Sequence, residues 1–339
     1  MNFIEINKPI LALAPMDGYT DCAFREIVKK YSNPDLLFTE FVNCHGLFKA
    51  FDKLANTLRY NEKQRPIIAQ LFGKEPEYFY KSALILCLLG FDGIDINIGC
   101  PAKNVAQKGG GAALIKKPLL AVEIIRSVKK AIKDYSKGKY DLDPKIYKAI
   151  KIKVKEWNVK LKSQRYITLS VKTRLGYSEY QPDWFKCLED EKLDFITVHA
   201  RTYKQKFTGK ANWKAIENIA SSIDTPVIGN GDIKSVKDLS RMVKQTNCAG
   251  VMIGRGAIGR PWVFDEDRNY DGNVRIIKKI VMDHTNKYLL FCKNKKFYEL
   301  RKHFAQYFRG FKGAKKLREK VVRTNSLKEL ERIISFYKL

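Results

Sequence analysis

Eight short apolar runs, spaced over the first 253 residues, constrain this chain more than any other feature. They cover 10–14, 36–39, 67–71, 93–98, 168–172, 195–199, 226–229 and 250–253. Most are continuous aliphatic or β-branched stretches, the pattern of parallel strands covered on both faces. Helical patterns lie between them at 21–31, 76–89, 118–133 and 235–245. Pro76 and Pro118 open two of these, where a missing N–H costs nothing. Ser235, with Asp238 three residues on, reads as the cap of another. Strand–helix units in this number predict an α/β fold, a (β/α)8 TIM barrel. A doubly wound sheet is the competitor. It would gather functional residues at one switch point, whereas here the candidates spread over the ends of several strands.

Two segments break the rhythm. Residues 134–165 lengthen the connection before the fifth strand and carry ten Lys/Arg against four Asp/Glu. Their middle, 144–161, reads as a lysine-rich helix. Residues 268–339 have no strand signal and several helical patterns, the last opening at Ser326 with Glu329. The expected division is a catalytic barrel over 1–267, with 134–165 as an insertion, and a smaller all-helical domain over 268–339.

The chain has 64 Lys+Arg against 36 Asp+Glu, a net charge of +28. That balance points to a polyanionic partner. Half of it lies in the tail, where 20 Lys/Arg face six Asp/Glu. The tail interleaves aromatics with base. Phe304, Tyr307, Phe308 and Phe311 recur at helical spacing and are expected to form helix cores, leaving the basic residues to face a nucleic acid, an anionic membrane or an acidic protein. The insert is either a further contact for that partner or a solvated helix.

No apolar stretch approaches the roughly 20 residues that cross a bilayer, and no signal peptide is expected. Seven cysteines without a C-x-x-C pair suit a reducing cytoplasm rather than a disulfide framework. The four histidines lack metal-ligand spacing, so no metal is expected. A cytoplasmic monomer is the reading.

A barrel delivers the ends of its strands to one face. Those ends carry Pro15-Met16, Gln70, Asn97 through Pro101, Lys172-Thr173-Arg174, His199-Ala200-Arg201, Asn230-Gly231-Asp232 and Gly254-Arg255-Gly256. The last two follow the seventh and eighth strands, where barrels commonly bind phosphate. Either alone is as easily an ordinary turn. Together they favour a phosphate-bearing ligand, with Arg255 able to pair it bidentately.

Seven motifs in order carry a resemblance. They are Ala-Pro-Met-Asp-Gly at 14–18, Asn-Ile-Gly-Cys-Pro at 97–101, the Gly109–Leu114 run, Val-Lys-Thr-Arg-Leu-Gly at 171–176, Val-His-Ala-Arg-Thr at 198–202, Gly-Asn-Gly-Asp-Ile at 229–233 and Met-Ile-Gly-Arg-Gly-Ala at 252–257. The chain resembles the tRNA-dihydrouridine synthases over about 10–264, and more loosely the bacterial B-type branch through 310–318. The insert departs from that pattern, in which this connection is usually short.

The resemblance implies an FMN-bearing barrel, a helical tRNA-binding domain, and reduction of the C5–C6 double bond of a tRNA uridine with NADPH or NADH as reductant. It implies that Pro15, Met16, Gln70, Lys172, His199, Asn230, Gly231, Asp232, Gly254 and Arg255 hold FMN. Asn97, Lys103, Arg174 and Arg201 would meet the substrate, and Cys100 would be the proton donor.

The residue types suit that chemistry. Hydride would pass from flavin N5 to uracil C6, and C5 then needs a proton. A thiol with pKa near ~8.5 is mostly protonated at neutral pH and serves as general acid. Lys172 would stabilise charge at the flavin N1–C2=O edge. Lys172 and Arg174 are expected to divide between barrel interior and rim, with structural pairing to Asp95 or Glu40 as the alternative. His199 reads equally as a core histidine. Gly109–Gly111 suits a mobile loop over the substrate. The other six cysteines are assigned to packing. A flavin barrel acting on a free nucleobase would have no need for the basic tail.

Overall fold

The computed structural model describes residues 9–161 and 166–336. Within them, β1 (Ile10–Leu13), β2 (Leu36–Phe38), β3 (Val42–Asn43), β4 (Ile67–Phe72), β5 (Gly93–Ile98), β6 (Thr168–Arg174), β7 (Phe195–His199), β8 (Val227–Asn230) and β9 (Gly250–Ile253) are all parallel. The sheet runs β2-β1-β9-β8-β7-β6-β5-β4, and a β2–β4 pairing, Leu37 against Ile67, closes it. Eight strands therefore make the barrel. The two-residue β3 extends it beside the end of β4 and was not signalled by the sequence.

Period-two alternation divides the strands between two cores. Ile10, Ala12, Leu36, Phe38, Ile68, Phe195, Ile228 and Met252 fill the barrel interior. Phe38 and Phe195 meet edge to face at 6.5 Å. Leu13, Leu37, Ile67, Ile96, Val171 and Val198 point outward into the larger core under the helices. Following the interior parity toward the strand ends replaces aliphatic residues with Gln70, Asp95, Asn97, Lys172, His199 and Asn230. The interior is apolar at one end and polar at the other.

Side-chain caps open several helices, the one expected at Ser235 among them. Asp21 accepts from Phe24 N at the head of Cys22–Tyr31, and Ser235 accepts from Asp238 N at the head of Val236–Thr246. In the insert, Asp143 caps Lys145 N, Pro144 takes the first turn, and Asn158 closes Pro144–Trp157 in the left-handed conformation. Its apolar side is part of the fold: Ile150 and Trp157 are buried, and Trp157 meets Tyr60 edge-on at 6.2 Å. Lys145, Lys148, Lys151 and Lys155 are exposed on the other side. Residues 162–165 of the insert lie outside the described residues.

Beyond the barrel, the helices Val274–Phe291, Arg301–Tyr307, Ala314–Val321 and Leu327–Phe336 share one core. Phe304, Tyr307 and Phe308 are buried in it and Phe311 packs at its edge, as helical spacing predicts. That core also takes in Ala23, Ile27 and Tyr31 from the first barrel helix. The tail is thus seated on the barrel by apolar burial. No helix among the described residues is long and apolar enough to cross a membrane.

Candidate active site at the polar end of the barrel

Two adjoining cavities open at the polar ends of the strands. The larger, about 720 Å³, runs from Pro15 and Met16 past Lys172, His199 and Asn230 to the Gly254-Arg255-Gly256 turn. The smaller, about 500 Å³, is walled by Tyr19, Phe41, Gln70, Asn97, Cys100 and Arg174. Pro15, Met16, Lys172, His199, Phe207 and Arg255 border both.

The register explains the gathering. Asn97 lies opposite Lys172, Arg174 opposite His199, His199 opposite Asn230, and Asn230 opposite Met252. Residues far apart in the chain therefore reach one rim. Lys172 and Arg174 are two positions apart on β6 and share a face. They divide by depth: Lys172 Nζ reaches Asn230 Oδ1 at 3.3 Å, while Arg174 turns outward. Its guanidinium donates to the carbonyls of Gly99 at 2.7 Å, Thr202 at 3.0 Å and Lys206 at 2.8 Å. Burial first, and then the charge of Arg174, push the Lys172 ammonium down to about 8. Arg174 is lowered to about 10, chiefly by burial.

Neither basic residue of β6 pairs with Glu40 in an ion pair. Glu40 instead pairs with Lys295 of the tail at 3.2 Å, and its other oxygen accepts from Gly18 N at 2.6 Å. Asp95 accepts from Gln70 and Ser170, with Lys172 contributing only its nearby charge.

His199 is nearly buried and held neutral, first by burial and then by the charges of Lys172, Arg174, Arg201 and Arg255. Arg201 Nη1 lies 3.4 Å from His199 Nε2. A guanidinium only donates, so Nε2 accepts and the proton resides on Nδ1. Arg201, expected at the substrate, borders the larger cavity. It is 2% exposed, forked onto Asp232 at 2.7 and 2.8 Å, and bound to the carbonyls of Thr208 and Gly209. It braces the loop after β7. Asp232 is its counter-ion and also accepts from Ala211 N. Between them sits Gly231, at φ +127°, where a Cβ would lie 3.1 Å from Ala211 and 3.2 Å from His199.

Cys100 borders the smaller cavity, and burial raises its thiol pKa. Its backbone N donates to Asn97 Oδ1 at 2.9 Å. Gly111 backs onto it at φ +57°, and a Cβ there would stand 3.0 Å from the Cys100 carbonyl oxygen. The glycine run is required here for close packing. Lys103 heads a short helix just beyond Cys100, but its side chain lies outside the described residues. Cys22, Cys44, Cys87 and Cys248 are buried; Cys187 and Cys292 are partly so.

Phe207 escaped the sequence reading. It is 54% exposed, borders both cavities, and faces the guanidinium of Arg255 at 5.0 Å and that of Arg174 at 5.7 Å. It lies in an irregular loop, where no periodicity marks it.

The model of the family described as "Dihydrouridine synthase (Dus)" matches residues 12–152 and 145–336. The chain belongs to the dihydrouridine synthase family. A "Probable tRNA-dihydrouridine synthase" of Staphylococcus aureus is 31% identical over 97% of this chain and 93% of its own. "Probable tRNA-dihydrouridine synthase 2" of Bacillus subtilis is 29% identical over 97% of this chain and 94% of its own. Among solved structures, a histamine dehydrogenase from a Rhizobium species superposes with a TM-score of 0.52 at 13% identity. It covers 82% of this chain and 48% of that one, a likeness of fold alone. This dihydrouridine synthase family member is an oxidoreductase, and residues of its strand-end motifs border both cavities.

Proposed function

We propose that this enzyme is an FMN-dependent tRNA-dihydrouridine synthase, reducing uridine in tRNA with NADPH or NADH as the electron source. The observation that carries the reading is the mouth itself. Lys172, Arg174 and Arg255 converge on one neutral histidine, and Lys172 and Arg255 take part in no ion pair among the described residues. Arg174 is buried and Lys172 half-buried, while Arg255 stands exposed at the rim. A cation desolvated without a carboxylate partner is costly unless an anion joins it. A flavin phosphate and an electron-rich flavin ring fit that requirement. Arg255, with the Gly231 and Gly254 turns, would hold the phosphate. Lys172, Gln70, His199, Asn230, Pro15 and Met16 would hold the rest.

When bound, FMN supplies the hydride that adds to C6 of the uracil ring. The chain's own residues do the remainder. Lys172 favours negative charge beside it. Cys100 Sγ, kept protonated by burial, donates its proton to C5. Asn97 and Arg174 fix the loop that carries Cys100, and Asn97, which lines the smaller cavity, would meet the uracil, with Lys103 of the following helix proposed beside it. Tyr19, Phe41 and Phe207 offer aromatic walls to a base swung out of its stack, which folded tRNA must do to reach the barrel mouth. The basic tail, 268–339, neutralises phosphates, and the exposed lysine side of the insert extends that surface.

The test is direct. Full-length protein with FMN, NADPH and unmodified tRNA should form dihydrouridine, read by mass spectrometry of nucleosides. Turnover of free uracil but not of tRNA would overturn the reading, as would protein that cannot be loaded with flavin.

A further inference from the structure

Asp95 is fully buried behind Gln70, which lines the smaller cavity, and takes no part in the chemistry above. Its neighbours form a chain with one possible direction. A carboxylate only accepts, so Gln70 must turn its amide nitrogen to Asp95, and Nε2 donates to Oδ2 at 2.6 Å. Gln70 Oε1 is thereby turned the other way, where it accepts from Asn97 Nδ2 at 2.8 Å. Asn97 Oδ1 is left to accept from the backbone N–H groups of Gly99 at 3.0 Å and Cys100 at 2.9 Å. Ser170 Oγ donates to the remaining Asp95 oxygen at 2.5 Å. Each amide on its own is ambiguous in direction. The carboxylate at one end and the two N–H groups at the other remove that freedom.

We propose that Asp95 is a positioning residue, its acceptor oxygen setting the direction of a Gln70–Asn97 relay that holds the Cys100 loop in place. The proposal rests on the reading of Cys100 as proton donor. It attributes the effect of Asp95 to hydrogen-bond acceptance rather than to charge. Two substitutions separate these. Asp95→Asn keeps an acceptor for Gln70 and can donate to Ser170 Oγ, so the relay survives without the charge. Asp95→Leu keeps the bulk and removes the acceptor.

The readout is the rate at which Cys100 is alkylated by iodoacetamide, followed by peptide mass mapping of the flavin-loaded full chain without RNA. Turnover on tRNA is measured in parallel. Asp95→Leu should raise Cys100 alkylation and lower kcat by roughly tenfold each, the cost of one buried donor left unpaired, with little change in KM for tRNA. Asp95→Asn should stay within about twofold of wild type on both. Asp95→Leu protein with wild-type Cys100 reactivity and kcat would overturn the proposal. So would Asp95→Asn as impaired as Asp95→Leu, which would assign the effect to charge. Should Asp95→Leu fail to fold, Gln70→Leu cuts the next link and must raise Cys100 alkylation; unchanged alkylation there overturns the relay. If Cys100→Ala retains turnover, the acid assignment fails, while the alkylation rates still decide the relay.

Discussion

Lys295 of the helical tail places its ammonium 3.2 Å from Glu40 and 3.6 Å from Asp21, both buried in the barrel. Asp21 caps the first barrel helix, and Glu40 holds Gly18 in the turn that carries Met16 to the border of the two cavities. One tail residue thus supplies the ammonium that two buried carboxylates beside the active site share. Lys295→Met should cost about 3–5 kcal/mol, because it leaves uncompensated buried charge. Thermal unfolding monitored by circular dichroism checks this, and an unchanged Tm would refute it.

Replacing Cys100 with alanine should leave flavin retention and tRNA affinity intact while lowering turnover. A positioned general acid contributes about 10²–10⁴-fold. Single-turnover reoxidation of reduced flavin by tRNA, compared with wild type, reads the loss.

Arg255→Ala should weaken FMN retention on the order of tenfold to a hundredfold, the range for a lost charge-assisted hydrogen bond. Flavin fluorescence on dilution measures it. Equal occupancy in the variant would move the phosphate elsewhere.

The flavin-free protein should bind FMN less well above pH 8. Lys172 titrates at about 8, so it is a cation below that pH and neutral above it. Binding that needs the cation must then take up a proton, and affinity falls by up to about tenfold per pH unit. Lys172→Met should bind more weakly at neutral pH and lose that limb. A parallel slope in wild type and variant would exclude Lys172 as its source.

The insert yields a paired prediction. Trp157→Ala should destabilise the fold by roughly 3–5 kcal/mol, as for other buried aromatics. Converting Lys145, Lys148, Lys151 and Lys155 to glutamine should leave Tm unchanged and flatten the salt dependence of tRNA binding by up to about 3–4 in log–log slope. An unchanged slope would restrict the RNA surface to the tail and barrel mouth.

Much of this molecule was legible in the chain. Strand periods, Pro-led helix starts and the cap at Ser235 are local, because each follows from steric and hydrogen-bond preferences within a few residues. The strand-end residues were legible too, since a parallel barrel must present them on one face. Their partners were not. Arg201 reads as a free cation in sequence, yet it is forked onto Asp232, 31 residues away. Glu40 finds Lys295 at a separation of 255. Pairings of that kind depend on which loops closure brings together, and no local propensity encodes them. The direction of the Gln70–Asn97 relay and the place of Phe207 between two guanidiniums are of the same sort. Sequence determined the elements and the chemical types at the mouth. Tertiary structure decided which of those charges are spent on each other and which remain for a ligand, because desolvation and pairing act only once distant segments share one buried space.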